Sequence, residues 1–343
     1  MNTERLKTLT KWVKKGLIYK PVGEAWWNRT HASVPTVDTT DPRVWRIYFG
    51  TRDDMNRNRI SYIDVEAGNP ANVLYQHDVP VLDLGRLGTF DDCGVMPSWI
   101  LDHDGKKYLY YIGWTVRSTI PYHNSIGLAI STDGGHTFER FSEGPLFGET
   151  YLEPFFNGTS CVLIENGVWR NWYLSCTGWT KVESRAEPRY HIKYAESLDG
   201  IIWRRQGVVA IDYKSDSEAG IVRSSVLKEN DFYHMWYAYR GGSDYRTNRK
   251  TSYRIGYAQS KDGVSWTRMD DCAGIDVSSE GWDSEMIEYP HVVQHRGTKY
   301  MFYNGNKFGD SGFGFAILSE KGKDDAATRP LNVLSWSTGD GQL

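Results

Sequence analysis

Three stretches of the chain carry one pattern of apolar and polar positions: YLYYIGW…IGLAISTDGGHTFER from Tyr108, NWYLSCTGW…YHIKYAESLDGIIWRR from Asn171, and YHMWYAYRG…YRIGYAQSKDGVSWTRM from Tyr233. Each has an aromatic-rich run of strand length, a polar loop and a second run that passes through Ala into Ser-x-Asp-Gly and then an aromatic residue. Alternation with period two, bounded by turn residues, predicts a meander of strands rather than a helix pair. Asp133, Asp199 and Asp262 of the three turns lie about 65 residues apart, a spacing that suits a four-stranded unit with long loops.

Five such units fill the chain. Ser33 to Glu66 keeps the strand pair but has lost the Asp-Gly turn, and Glu288 to Leu318 supplies three strands before the pattern stops. Atypical ends are expected of a ring in which one unit is closed by both termini. The predicted fold is all-β, a five-bladed β-propeller of four-stranded antiparallel sheets with a short N-terminal helix, forming one domain over 1–343. Leu6, Leu9, Trp12, Val13, Leu17 and Ile18 set the helix within 1–20, and 319–343 is read as a charged tail or, around Trp336, a strand that closes the ring.

Composition fits strands with one packed and one wet face: 34 Gly, 14 Trp and 22 Tyr in 343 residues, with a hydrophobic fraction of 40%. A net charge of −3 offers no clustered basic surface for nucleic acid. No run approaches a membrane span and the first 21 residues lack a secretory apolar core, so a cytoplasmic location is expected. Cys93, Cys161, Cys176 and Cys272 have no metal-ligand spacing, and neither a metal nor a cofactor is predicted.

In a propeller the first strand of each blade lines the central channel. Aligning RTHASVPTV, DDCGVMPSW, PFFNGTSCV, EAGIVRSSV and SEMIEYPHV brings ionisable groups to the start of every one: Arg29 and His31; Asp91 and Asp92; Glu153; Glu218 and Arg223; Asp283, Glu285, Glu288 and His291. Carboxylates gathered there suffer desolvation and mutual repulsion, so the alignment points to a site. Trp114 and Trp179, each closing a second strand with the same Gly-Trp pair, would offer faces for sugar rings, and Arg223, Arg240 and His291 are candidates for a phosphate cradle. Acids across an aromatic pocket suggest glycosidic chemistry, which needs one carboxylic acid and one carboxylate.

Glu288-Tyr-Pro-His291-Val-Val followed by RGTKYMFYNGN resembles the Glu-Gly-Pro-His motif and its continuation in five-bladed glycosidases of glycoside hydrolase family 43. It is also similar to the Glu-Cys-Pro box of family 32, and the Ser-x-Asp-Gly turns resemble those of a superfamily that includes families 68 and 130, the last containing mannoside phosphorylases. The resemblance implies that Glu288 is the general acid. Ser131-x-Asp133-x-Gly135-x-Thr137-Phe138 matches the sialidase Asp-box, which is a structural turn there. Where family 43 has its base, Val34 and Met96 stand, so the base is assigned to Asp92 or Asp91, and substrate contacts to Glu153, Glu218, Arg223, Glu285, His291, Arg240, Trp114, Trp179 and His31. The expected function is cleavage or transfer of a glycosidic bond in an oligosaccharide or nucleotide sugar. The alternatives are a sugar-transferring or sugar-modifying enzyme of cell-surface polysaccharide synthesis and a non-catalytic sugar-binding propeller.

Overall fold

The computed structural model describes residues 11–318 apart from 184 and 243. The N-terminal expectation is corrected where it falls on described residues: Val13–Tyr19 is a strand, β1, not a helix. It alternates in exposure along its length and pairs antiparallel with Phe313–Leu318. A lone helix of that length is marginal in water, whereas a strand here covers a sheet edge that would otherwise expose its backbone donors and acceptors. Leu6, Leu9 and the tail from 319, including Trp336, lie outside the described residues.

The remaining strands follow the sequence pattern. β2 (Thr30–Asp38), β3 (Val44–Arg52), β4 (Asn58–Glu66) and β5 (Asn69–Gln76) form the first meander, and β6 (Gly94–His103), β7 (Lys106–Thr115), β8 (His123–Ser131) and the short β9 (Glu139–Arg140) the second. β10 (Asn157–Glu165), β11 (Val168–Val182), β12 (Arg185–Ser197) and β13 (Trp203–Ile211) make the third; β14 (Glu218–Glu229), β15 (Phe232–Gly241), β16 (Arg254–Ser260) and β17 (Thr267–Arg268) make the fourth. β18 (Glu288–His295), β19 (Thr298–Asn304) and β20 (Phe313–Leu318) take β1 as their fourth strand. Single parallel bridges, Asn58 to Gly94 and Tyr190 to Gly220, join the first four meanders into two eight-stranded sheets. The first strands β2, β6, β10, β14 and β18 each contact the next, and β18 returns to β2.

Apolar cores form between neighbouring meanders. Trp45 and Ile47 pack with Phe302 and Phe315, Tyr48 and Ile60 with Val95 and Leu109, and Trp236 and Ile255 with Met301 and Trp12. Cys161 and Cys176 sit buried on adjacent strands, as small core residues.

The Ser-x-Asp-Gly turns are built by their own side chains. Ser131 donates to Asp133 at 2.6 Å, while the backbone N–H groups of His136 and Thr137 donate to Asp133 and that of Gly135 to Ser131; the Ser197–Asp199 and Ser260–Asp262 turns repeat this. Each turn is then latched to the preceding meander. Tyr48 donates to the Gly135 carbonyl at 2.9 Å, Tyr110 to that of Gly200 at 2.7 Å and the Trp172 indole to that of Gly263 at 2.7 Å. Tyr300 reaches the Gly68 carbonyl at 3.2 Å, tying the last meander to the first. Between the fourth and fifth, Trp236 meets Trp12 edge-on with centroids 5.9 Å apart.

The recurring acids have a structural reason that alignment concealed. Asp91 is fully buried and accepts from Tyr111 on β7 at 3.0 Å and Arg140 on β9 at 2.8 Å. Glu153 accepts from Tyr173 on β11 at 3.0 Å and Arg205 on β13 at 3.0 Å, with Ser175 and Lys193 also bound. Arg268 on β17 holds Glu218 through two hydrogen bonds of 2.7 and 2.9 Å and also grips Asp270, to which Tyr237 on β15 donates. Asp283 accepts from Lys14 on β1 at 2.7 Å and Tyr303 on β19 at 2.9 Å. The second, third and fifth meanders therefore clasp a buried carboxylate between a second-strand tyrosine and a fourth-strand cation, and in the fourth Arg268 joins Glu218 to Asp270, which takes the tyrosine hydrogen bond. In the first, Phe49 has no hydroxyl to offer, and Asn28 stands ahead of the inner strand, donating to Tyr19 at 3.1 Å.

Breaking a clasp leaves a buried carboxylate without its cation, which costs about 3–5 kcal/mol. Arg140→Met should lower unfolding free energy by that order, and Asp91→Leu/Arg140→Met should recover most of it; chemical denaturation of the single and double variants is the check. Burial raises the Glu153 carboxyl, but Lys193, Ser175 and Arg205 outweigh it and leave it below its ordinary value. Glu153 thus stabilises the fold above the unfolded-state pKa, and that stabilisation should vanish as pH falls through the still lower folded value, visible as a smaller acid dependence of melting temperature in Glu153→Gln.

Candidate active site

All five first strands carry a bulge at the same place, seen as register shifts at Ser33–Thr36, Pro97–Trp99, Asn157–Ser160, Val222–Ser225 and Glu288–His291. Val34, Arg223 and Tyr289 have φ of 55°, 57° and 53° there. Such strain in β-branched or bulky residues persists only where surroundings enforce it. At Val34 the enforcing group is Asn304, whose side-chain carbonyl accepts the Val34 N–H at 2.7 Å while its amide donates to the Ala32 and Gly312 carbonyls. Asn304 is also the register partner of Glu288.

Beside this bulge ring lies a cavity of about 330 Å³ to which every meander contributes. The first gives Ser33, Arg52 and Asn56; the second Met96, Trp114, Tyr122 and Asn124. From the third come Arg185, Glu187 and Tyr190, from the fourth Tyr245, Arg246 and Tyr253, and from the fifth Tyr289 and Phe308. Lys307 and Phe308 form a left-handed turn after β19, with φ of 56° and 60°. A neighbouring cleft of about 340 Å³ shares Glu187 but is lined otherwise by the third–fourth junction, away from Glu288.

Glu288 is fully buried beneath this cavity, and neither carboxyl oxygen has a hydrogen-bond partner. Burial raises it well above the usual carboxylate range; Arg246, the nearby Tyr289 hydroxyl, Arg240 and Arg52 pull it down without cancelling that effect. Glu187 is its opposite. Burial raises its carboxyl, but Arg246 at 3.0 Å and Tyr245 at 2.8 Å outweigh burial and hold it below its ordinary value. The cavity thus has an ionised glutamate, Glu187, in its lining and a protonated one, Glu288, buried behind Tyr289 and not itself in the lining.

Several expected site residues lie elsewhere. Asp91 is closed in its clasp, and Asp92 turns back to accept the Gly88 N–H at 3.0 Å, so neither lines the cavity. Glu153 and Glu218 are clasp members, because arginines from their own fourth strands reach them. Glu285 is exposed. Arg223 and His291 stand together inside the ring, joined at 3.0 Å, with His291 stacked on Trp99 at 4.7 Å. Burial pulls Arg223 down to about 9 and His291 well below its ordinary value. Arg240 lies behind the wall, donating to Tyr190, Tyr253 and the carbonyls of Pro188, Gly241 and Gly242; none of the three cradle candidates lines the cavity. Trp114 lines it, whereas Trp179 packs behind Tyr122 with centroids 5.5 Å apart. His31 is held near 4 by burial and by Arg52, against the pull of Asp310.

Sequence inspection missed Arg52, Glu187, Tyr190, Tyr245, Arg246 and Tyr253. Arg52 had one legible signal, since it ends the second strand of its meander as Trp114 nearly ends its own. Tyr190 and Tyr253 had another, since they open the equivalent runs YHIKYAES and YRIGYAQS of two repeats, whereas Glu187, Tyr245 and Arg246 lie ahead of those runs, outside the repeated pattern. Among the described residues no cluster of His, Cys, Asp or Glu is arranged to hold a metal ion, and no helix is long and apolar enough to cross a membrane.

No protein-family model matches the chain. Two uncharacterized proteins of Mycobacterium tuberculosis, MT1551 (strain CDC 1551 / Oshkosh) and Rv1502 (strain H37Rv), are each 38% identical over 307 residues, covering 90% of this chain and 99% of theirs. Solved structures share the fold at low identity. A glycosyl hydrolase from Bacteroides ovatus matches with TM-score 0.70 at 13% identity, covering 91% of this chain and 95% of its own. A complex of BT0996 with RGII gives 0.67 at 19%, covering 92% and 94%. A member of the GH130 family of mannoside phosphorylases, which contains glycoside hydrolases that target β-1,2 mannosidic linkages in Candida mannan, gives 0.66 at 14%, covering 91% and 95%. The likeness to glycoside hydrolases read from the Glu288 motif and the turns therefore holds at the level of fold.

Because folding raises the Glu288 pKa, the native state binds a proton that the unfolded chain releases, and stability falls with rising pH between the unfolded and folded values. Glu288→Gln should match the parent below about pH 4 and become progressively the more stable protein above it, by up to about 1.4 kcal/mol per pH unit. Melting curves of both proteins from pH 4 to 9 measure this; parallel curves would remove the protonated glutamate.

Proposed function

This chain belongs to the same family as the Mycobacterium tuberculosis proteins MT1551 and Rv1502, and we propose that it is a single-domain, five-bladed β-propeller enzyme that cleaves or transfers a glycosidic bond. The observation that carries this reading is a pair of glutamates pushed apart in pKa, Glu187 lining the cavity and Glu288 buried directly behind the lining residue Tyr289, the pattern of a general acid and its ionised partner. Glu288 protonates the leaving oxygen. Glu187 supplies the negative charge that glycosidic cleavage needs against an oxocarbenium-like transition state, as base or stabiliser. It takes the role that sequence alignment gives to Asp92 or Asp91, which are held away from the cavity.

The aromatic wall supports a sugar ligand. Trp114, Tyr122, Tyr190 and Phe308 offer flat faces to the C–H side of a sugar ring, and Asn56, Asn124 and Arg185 offer groups for its hydroxyls. The substrate class is an oligosaccharide or nucleotide sugar. We place the reaction in the cytoplasm.

The test is turnover on a panel of aryl glycosides, oligosaccharides and nucleotide sugars, with and without phosphate. Glu288→Gln should lower kcat by about 10²–10⁴-fold with folding intact. Activity should fall on the alkaline side as Glu288 loses its proton, and on the acid side, below the ordinary glutamate range, as Glu187 gains one. Turnover that is unaffected in Glu288→Gln sinks the assignment, and sugar binding without turnover on any substrate would make the protein a binding module.

A further inference from the structure

The cavity holds a cation that the proposed chemistry does not use. Arg52 donates from Nη1 to Asn56 at 3.0 Å, its Nε is buried with no partner, and among the described residues no carboxylate lies within ion-pair distance. Arg59 is matched by Asp53 and Asp83, Arg205 by Glu153 and Arg268 by Glu218 and Asp270. Arg223 has no carboxylate either, and its Nε and Nη1 are unpartnered, but it is sealed inside the ring and does not line the cavity as Arg52 does. Arg240 also lacks a carboxylate but is satisfied by carbonyls and tyrosine hydroxyls. Burial lowers the Arg52 pKa; Tyr289, Asp310 and Glu288 pull it up, and Arg246, which lines the same cavity, pulls it down. With Arg185 on the wall and Glu187 as the ionised carboxylate, positive charge is in surplus. A largely buried guanidinium with no carboxylate in contact is unfavourable until something supplies one, and its planar fork suits a carboxylate or phosphate.

We infer that the cavity takes a saccharide bearing an oxyanion, a carboxylate or a phosphate ester, which seats on Arg52 with Arg246 beside it. This rests on the glycoside reading above and names its substrate class. A free phosphate ion would satisfy the arginines but leave the wall of Trp114, Tyr122, Tyr190 and Tyr253 uncovered, whereas a charged sugar engages both. The anion also bears on the acid. Arg52, Arg240 and Arg246 pull the Glu288 proton off, so a bound negative charge offsets them and holds the proton more firmly until transfer.

The experiment is equilibrium binding of the full chain to a glycan panel of neutral, uronate-containing and phosphorylated members, with orthophosphate alone as a separate arm. It is run on the parent, Arg52→Gln, Arg52→Lys and Glu288→Gln, each first shown by melting to be folded. Acidic glycans should bind in preference to neutral ones, weaken at least tenfold in Arg52→Gln, recover in part in Arg52→Lys, and lose affinity as salt is raised. Binding confined to neutral glycans, binding of acidic glycans unchanged in Arg52→Gln, binding of orthophosphate alone, or no binding of any acidic member overturns the inference. Glu288→Gln separates the two readings: it should retain the acidic ligand. Turnover of neutral glycosides that depends on Glu288 leaves the enzyme reading standing while this one falls; Arg52-dependent acidic binding with no turnover does the reverse.

Discussion

A carboxylate buried inside a β-meander needs a cation and hydrogen-bond donors to hold its charge, and that requirement organises this molecule. Asp91, Glu153 and Asp283 each precede an inner strand and Glu218 begins one, and each is reached by a cation from the fourth strand of the same unit. The outermost strand is thereby tied to the innermost by charge as well as by the backbone ladder. β9 and β17 are only two residues long, so Arg140 and Arg268 do much to keep those edges in place. In the last unit the cation is Lys14, which comes from the other end of the described chain and makes the clasp part of ring closure. The aromatic latches perform the complementary task, joining one unit to the next through a turn carbonyl.

Glu288 stands against that background as the acid left without a clasp. It too begins a first strand, yet it has neither cation nor hydroxyl in bonding geometry. The repeated bulge matters here, because an extra residue in the strand re-aims the side chains on either side of it. Where the structural acids are neutralised by salt links, Glu288 is neutralised by keeping its proton. Glu187 reverses this in the same cavity through Arg246 and Tyr245. The two glutamates differ in charge because they differ in neighbours.

The arginines around the cavity serve unequal purposes. Arg240 is a buried scaffold for the tyrosines and Arg246 sets the charge of Glu187, while Arg52 retains unused donors. Of these three, Arg52 is the one whose donors are left to meet charge from outside.

The sequence alone determined the period, the four-stranded unit, the Ser-x-Asp-Gly turns and the identity of the inner strands, because alternation and turn chemistry are local and recur every 60-odd residues. It also singled out Glu288 through a short motif. It misread Val13–Tyr19, whose apolar spacing suits a helix as well as a strand until the open edge of β20 is in view. It misread the aligned acids for a related reason. Arg140, Arg205 and Arg268 lie 49, 52 and 50 residues from the carboxylates they hold, and nothing in periodicity says that a fourth strand will bring them back. Tertiary structure alone decided which carboxylates are held in salt links, that Glu187 lines a cavity assembled from all five units and that Glu288 is buried unpaired behind it, because the charge state of a buried acid is set by the groups within a few ångströms of it and not by its place in a repeat.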